Sequence, residues 1–210
     1  MESFKYPKTM HLPWSENLQN DDRMIESLDA FIGKEVVVSC KLDGENTGMT
    51  RTKCHARSLD SKHHPSRNLV KQLHAEICND IPEGWKLFGE NLYAKHSIFY
   101  KKLKSYFYLF NIWRDEICLS WDETEEWAKI LGLEMVPVLY RGIWNEEKVK
   151  SCFTKELILG GEQEGYVVRL VSSFHSKDFA KNVGKAVRKG HVQTDQHWMT
   201  QQVVPNELEA

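Results

Sequence analysis

The sequence has no stretch approaching the roughly 20 consecutive apolar residues that a membrane-crossing helix requires, which excludes a protein held in a bilayer by helices. Its first residues lack the basic-then-apolar pattern of a secretory signal. No Cys-x-x-Cys pair occurs. The five cysteines, Cys40, Cys54, Cys78, Cys118 and Cys152, are widely spaced and odd in number, which speaks against a structural zinc site or a redox dithiol. They read as reduced thiols, and a cytoplasmic protein is expected. There is no internal repeat, low-complexity tract or Ser/Pro-rich linker, so residues 1–210 are expected to form a single domain. Strong charge of one sign is missing too. With 28 Lys and Arg against 30 Asp and Glu the formal charge is -2, so affinity for nucleic acid has to come from a local basic patch.

What is present describes an ordinary globular chain. Hydrophobic residues make up 41% and charged residues 28%, enough apolar material in 210 residues for a sizeable core. The 7 Trp, 7 Tyr and 9 Phe imply a well-filled interior or a stacking site.

The apolar spacing of Met24, Ile25, Leu28 and Phe31, followed by Gly33, predicts a helix from about Asp22 to Phe31. The β-branched run Val36-Val37-Val38 leads into Cys40 and Leu42 as a strand, with Thr47 to Arg51 as its hairpin partner across Asp43-Gly44. Ser66 is the expected cap of a helix with the stripe Leu69, Val70, Leu73 and Ile77. Trp85 to Leu92 and Tyr106 to Trp113 read as strands around a loop bearing Lys101, Lys102 and Lys104. Ser120-x-x-Glu123 is a capping box opening a helix to about Leu131, with Gly132 as its stop. A strand over Glu134 to Tyr140, a helix from Asn145 to about Leu157, and a strand over Gly165 to Val171 complete the pattern. The fold class is mixed α+β, with antiparallel strands interleaved with helices.

The chemistry concentrates in ordered clusters. Lys41-Leu42-Asp43-Gly44-Glu45-Asn46 places an amine at a strand end beside a tight turn, a setting for covalent chemistry on a nucleotide. Downstream follow Phe88-Gly89-Glu90, the aromatic strand Tyr106 to Trp113, Glu164-Gly165-Tyr166-Val167-Val168-Arg169, and Lys185-Ala186-Val187-Arg188-Lys189. Each is short; their specificity lies in order and spacing. As a set, spanning about Lys41 to Lys189, they resemble the covalent nucleotidyltransferase superfamily of ATP-dependent DNA and RNA ligases and messenger-RNA capping enzymes.

The resemblance implies a ligase adenylation-domain fold, antiparallel sheets flanked by helices, and a set of roles. Lys41 would attack the α-phosphate of ATP and carry AMP. Asn46 stands where DNA ligases usually carry arginine and many RNA ligases asparagine, and its amide can serve a phosphate or a ribose hydroxyl. Arg57, in His55-Ala56-Arg57-Ser58, would engage a phosphate. Glu90 would hold the ribose hydroxyls as an ionised acceptor. Phe110 would stack on adenine, although Tyr106 and Tyr108 share its face by period two and ordinary core packing is the alternative. The family often carries aspartate at the place of Asn111. Glu164 would be the carboxylate associated with Mg²⁺ or Mn²⁺. Lys185 would neutralise charge on the α-phosphate. The usual Lys-x-Lys is absent there, leaving Arg188 or Lys189 as the second cation, and Lys177, Lys181 and Lys185 also fit one wetted helix face. The aromatic segment from Tyr6 to Trp14 is similar to one that some RNA ligases fold against the nucleotide pocket, a place that packing alone also explains. His63-His64 lack a third ligand at sensible spacing and read as a surface loop.

The resemblance therefore implies an ATP-dependent RNA ligase joining 5′-phosphate and 3′-hydroxyl RNA ends, with an end-healing kinase or phosphatase as a conceivable partner. RNA would lie along Arg57, the Lys101 to Lys104 loop and the Lys177 to Lys189 segment. About twenty residues follow Lys189, too few for a five-stranded OB-type barrel, which disfavours capping enzymes and large DNA ligases. A minimal DNA nick ligase and a catalytically silent nucleotide- or RNA-binding module are the alternatives.

Overall fold

A computed structural model describes residues 5–16, 18, 22–58, 63–154, 157, 159–188 and 202–209. Two largely antiparallel sheets dominate it. The first orders its strands β1 (Met10–His11), β12 (Val183–Val187), β10 (Gly165–Leu170), β2 (Glu35–Lys41) and β9 (Val138–Ile143). The second runs β11 (Phe174–His175), β7 (Ile117–Cys118), β6 (Phe107–Arg114), β5 (Trp85–Asn91), β3 (Glu45–Met49) and β4 (Cys54–Ala56), with β8 (Glu134–Met135) parallel to β6. The helices are α1 (Asn68–Ile77), α2 (Trp121–Ile130), α3 (Glu146–Lys150) and α4 (Phe179–Asn182). This is the mixed α+β class read from the sequence.

The strand β2 is buried along nearly its whole length because it is central, paired with β10 on one side and β9 on the other. A continuous apolar run is what such a strand needs. The expected hairpin between β2 and β3 does not form: β3 pairs with β4 and β5 in the other sheet. The turn at Asp43-Gly44 instead passes the chain between the sheets. A Cβ on Gly44 would meet the Asn91 carbonyl oxygen and the Leu92 Cδ2, each at 2.6 Å, so the turn lies flat against the end of β5.

Other expectations are corrected by long-range pairing. Residues 22–34 form turns, because Ile25 donates its N–H to the His11 carbonyl and Met24 bridges to His11. Strand-like pairing to β1 satisfies the backbone where a helix was read, and Ile25 and Phe31 are still buried. The segment 134–140 is two strands, split at Pro137: Val136 donates to Leu109 in the second sheet, while the Pro137 carbonyl accepts from Cys40 in the first. Ser66 lies in a 3-10 turn before α1 and does not cap it; His64 caps that turn through Nδ1, so it belongs to local structure. The helix capped by Asn145 ends at Lys150, where the side chain of Gln163 takes over, donating to the Cys152 carbonyl. Lys177, Lys181 and Lys185 fall in a 3-10 turn, α4 and β12, so they share no helix face.

The capping box opens α2 as expected. Ser120 Oγ accepts from the Glu123 N–H at 3.2 Å, Glu123 Oε2 accepts from the Ser120 N–H at 2.9 Å, and Gly132 follows with φ +65°.

Candidate active site

The nucleophile candidate sits at the last residue of β2, where the strand turns away between the sheets. Lys41 pairs in register with Gly165 on β10, and its Nζ contacts Glu164, the residue that precedes β10. A side chain at Gly165 is sterically forbidden, since a Cβ would lie 2.1 Å from the Ala186 carbonyl oxygen of β12. Glu164-Gly165 thus combines a buried carboxylate with a residue that lets β12 close in. On β12, Lys185 pairs with Val167, two positions beyond Gly165. In an antiparallel sheet that spacing puts Lys41 and Lys185 on the same face, in adjacent rows.

Burial pulls the Lys41 ammonium towards losing its proton, but the Glu164 carboxylate, with Glu90 and Asp43 adding, outweighs it and the pKa stands above the ordinary lysine value. Lys41 therefore rests as an ammonium. Lys185 goes the other way: burial lowers its pKa, and the nearby Lys41 charge adds to that.

The turn beyond Lys41 is held by a loop between β5 and β6. Asp43 Oδ2 accepts from the Ser97 N–H and Oγ at 2.8 and 2.6 Å and from the Ile98 N–H at 2.8 Å, while the Asp43 N–H donates to the Tyr100 hydroxyl at 2.9 Å. The loop in turn is strapped by residues 203–209. Asn206 is buried; its Oδ1 accepts from the Tyr100 N–H at 2.9 Å and its Nδ2 donates to the Leu92 carbonyl at 2.7 Å. Truncating it orphans two buried backbone groups. Asn206→Ala is expected to cost about 3 kcal/mol of stability, read as a lower urea midpoint at unchanged slope.

Glu90, on β5, faces Asn46 of β3 in register. Burial, reinforced by Glu164 and Asp43 against the opposing pull of Lys41, pushes its pKa up to about 8. At neutral pH the carboxyl is largely protonated, so it can donate to a ribose hydroxyl as well as accept, unlike the ionised acceptor expected from the sequence. The folded chain holds this proton where the unfolded chain has lost it, so the group weakens stability progressively as pH rises from about 4.5 to about 8. Glu90→Gln is expected to raise the melting temperature by about 5 °C at pH 8 and hardly at all at pH 4.

Two polar atoms near these groups are buried without a hydrogen-bond partner: Asn46 Oδ1 and Arg188 Nε. Orphans of this kind fit a polar ligand that completes them. Arg188 also contacts Glu162, and its N–H donates to the Glu164 carbonyl at 3.1 Å, which ties the last motif to the carboxylate strand. Lys189 lies outside the described residues.

Phe110 is half-buried on β6, edge-on to Tyr6 at 5.2 Å, and packs against core clusters on both sides. Tyr106 and Tyr108, on its face, hydrogen-bond the Asn206 carbonyl and the Lys104 N–H, so they support the strapped loop. The N-terminal aromatics do pack on the motif strands: Tyr6 lies against Phe88 and Phe110, and Trp14 Nε1 donates to the Tyr166 hydroxyl at 2.7 Å.

Arg57 is the site candidate the structure does not draw into this arrangement. It stands exposed just past β4. The buried arginine beside the nucleophile turn is Arg67, whose Nε donates to Glu45 Oε2 at 2.7 Å. Arg67, Tyr100, Ser97 and Asn206 carry no local sequence signal that marks them; their roles come from contacts across 22 to 106 positions.

Comparison with known proteins decides the family. The model of the RNA ligase family matches residues 34–187, which takes in Lys41, Glu90, Glu164 and Lys185 and stops just before Arg188. The chain belongs to the RNA ligase family. No curated protein sequence matches it. Among solved structures, it is similar to Naegleria gruberi RNA ligase: a variant with ATP and Mn (19% identity, TM-score 0.58) and the enzyme with PPi (18% identity, TM-score 0.56), each over 89% of this chain and 58% of the other. A further variant with AMP and Mn matches at 17% identity, TM-score 0.57. These likenesses establish that this RNA ligase family member shares the Naegleria enzyme's fold. It spans 58% of the length of those structures.

Proposed function

We propose that this chain is an ATP-dependent RNA ligase, a single nucleotidyltransferase domain that seals 5′-phosphate and 3′-hydroxyl RNA ends through a lysyl-AMP intermediate on Lys41. The observation that carries the reading is the placement of Lys41 against Glu164 with Lys185 on the same sheet face, inside the segment matched by the RNA ligase family. The ATP, AMP, PPi and Mn seen with the Naegleria enzyme agree with it.

In the first step a new P–N bond forms between the neutral Lys41 amine and the α-phosphorus while the α,β P–O bond breaks and pyrophosphate leaves with the electron pair. Lys185, approaching from the adjacent row, offsets the negative charge gathering on the α-phosphate. The RNA 5′-phosphate then attacks the AMP phosphorus, releasing the lysine. Finally the 3′-hydroxyl attacks the activated 5′-phosphate, and AMP departs.

The donor set suits a hard divalent cation. Glu164 is a buried carboxylate with Glu90 and Asp43 close enough to influence the same lysine. Among the described residues no group of three or more His, Cys, Asp or Glu closes around one point; an ion here would be held on Glu164, with its other ligands drawn from phosphate oxygens and water. Such an ion held on Glu164 supplies positive charge beside the triphosphate and weakens the lysine's hold on its proton. Phe110 offers the adenine a half-buried ring face, and Asn46, Glu90 and Arg188 offer polar partners for ribose and phosphate.

Among the described residues no helix is long and apolar enough to cross a membrane. RNA would run over the Lys101 to Lys104 loop and the Lys177 to Arg188 segment. The test is incubation with α-labelled ATP or GTP and Mg²⁺ or Mn²⁺, followed by nicked duplex RNA, nicked DNA or single strands. Covalent label from ATP with preferential sealing of RNA is the expected result. Label from GTP points to capping-type chemistry, sealing of DNA alone to a nick ligase, and no label to a binding module.

A further inference from the structure

Lys185 has a carboxylate of its own that the sequence motifs do not contain. Its Nζ lies 3.4 Å from Asp22 Oδ1, and both side chains are largely buried, 18% and 12% exposed. The same carboxylate meets His11 Nε2 at 3.1 Å through Oδ2 and Lys8 Nζ at 3.7 Å through Oδ1. His11 sits on β1, in register with Lys185 on β12, and is 1% exposed. Its Nδ1 lies 2.7 Å from Ser15 Oγ, and that oxygen accepts from the Val187 N–H at 3.0 Å. A carboxylate opposite Nε2 favours the proton on that nitrogen, so Nδ1 accepts from the Ser15 hydroxyl. The chain Val187, Ser15, His11, Asp22, Lys185 runs from one residue of β12 back to another.

We propose that Asp22, anchored through His11 and Ser15, is a positioning residue: the counter-charge that keeps Lys185 an ammonium and holds it at the nucleotide cleft before a triphosphate arrives. The proposal rests on the ligase reading for its catalytic consequence.

The electrostatic need is specific. Burial and the like charge of Lys41 both favour the neutral amine at Lys185, while Asp22 and, more weakly, Glu164 oppose them. Lys8 adds a further positive charge on Asp22, and His11 is kept neutral by burial and by Lys185. Glu164 is already committed to Lys41. Among the described residues Asp22 is therefore the acid in direct contact with Lys185, and its loss leaves the like charge of Lys41 unopposed by it in a partly desolvated setting.

The test uses the whole chain and two readouts. In the first, amine reactivity of Lys185 towards acetic anhydride is followed against pH by peptide mass spectrometry, in wild type and in Asp22→Asn. The midpoint is expected to move down by about one pH unit in the variant, and Asp22→Glu is expected to restore most of it. In the second, single-turnover formation of lysyl-AMP at saturating ATP is expected to slow about tenfold in Asp22→Asn, an effect on the rate and not on half-saturation, again rescued by Asp22→Glu. An unmoved reactivity midpoint overturns the proposal whatever the activity. A wild-type chain that takes up no AMP overturns the ligase reading instead, and leaves the first readout to decide the role of Asp22.

Discussion

Lys41→Met is expected to give a folded chain that takes up no AMP, a loss of at least a thousandfold in lysyl-adenylate formation. Methionine has nearly the length of lysine and no nucleophilic nitrogen, so the space beside Gly165 stays filled while the group that would bond to phosphorus is gone. Stability should not fall with it. The variant relieves the burial of an ammonium, whose desolvation opposes the attraction of Glu164 in the wild-type chain. A melting temperature within a few degrees of wild type, together with absent label, separates chemistry from folding; a variant that still labels at another residue would place the nucleophile elsewhere.

The second large effect concerns Asn111, where the resemblance left the side chain without a role. It is buried on β6 and joins the two sheets beneath the cleft: its Nδ2 donates to the Tyr6 hydroxyl at 2.6 Å, and its Oδ1 receives the Arg169 guanidinium of β10. Arg169 is 2% exposed and spends its other donors on the Leu119 carbonyl at 2.6 Å and the Leu170 carbonyl at 3.0 Å. Asn111→Leu strands part of a buried cation, a defect that typically costs 3–5 kcal/mol, so a loss of about 4 kcal/mol in urea-unfolding free energy is expected. Asn111→Asp keeps an acceptor for Arg169 and accepts from the Tyr6 hydroxyl, and should be tolerated. If the leucine variant unfolds like wild type, the bond between sheets is not what holds this part of the cleft.

The contrast between Lys41 and Asp22 shows how much of the site could be read before the fold was known. Lys41, Glu164 and Lys185 are visible because each lies on or next to a strand inside a short motif whose order survives in one dimension. Asp22, His11, Tyr100 and Asn206 act across 57 to 163 positions or through β-register, which local spacing does not encode. The fold divides in the same way. The strands β5, β6 and β10 and the capping box of α2 follow from residue preference within each segment. The mistaken helix over Asp22 to Phe31 and the mistaken hairpin at Asp43-Gly44 failed for one reason: backbone partners lay elsewhere in the chain, on β1 in one case and in two different sheets in the other. Apolar spacing reports which side chains tend inward, and Ile25 and Phe31 are buried while Met24 is exposed; it does not report which strand completes the hydrogen bonds.

The account stands on covalent attachment of a nucleotide to the end of β2. Its most direct measurement is intact-mass and peptide mass spectrometry of the wild-type chain after exposure to ATP and Mg²⁺ or Mn²⁺. The predicted result is the mass gain of one adenylyl group, mapped to Lys41 and released as AMP when 5′-phosphorylated and 3′-hydroxyl RNA ends are supplied. An unchanged mass, or an adenylyl group on any other residue, would contradict it.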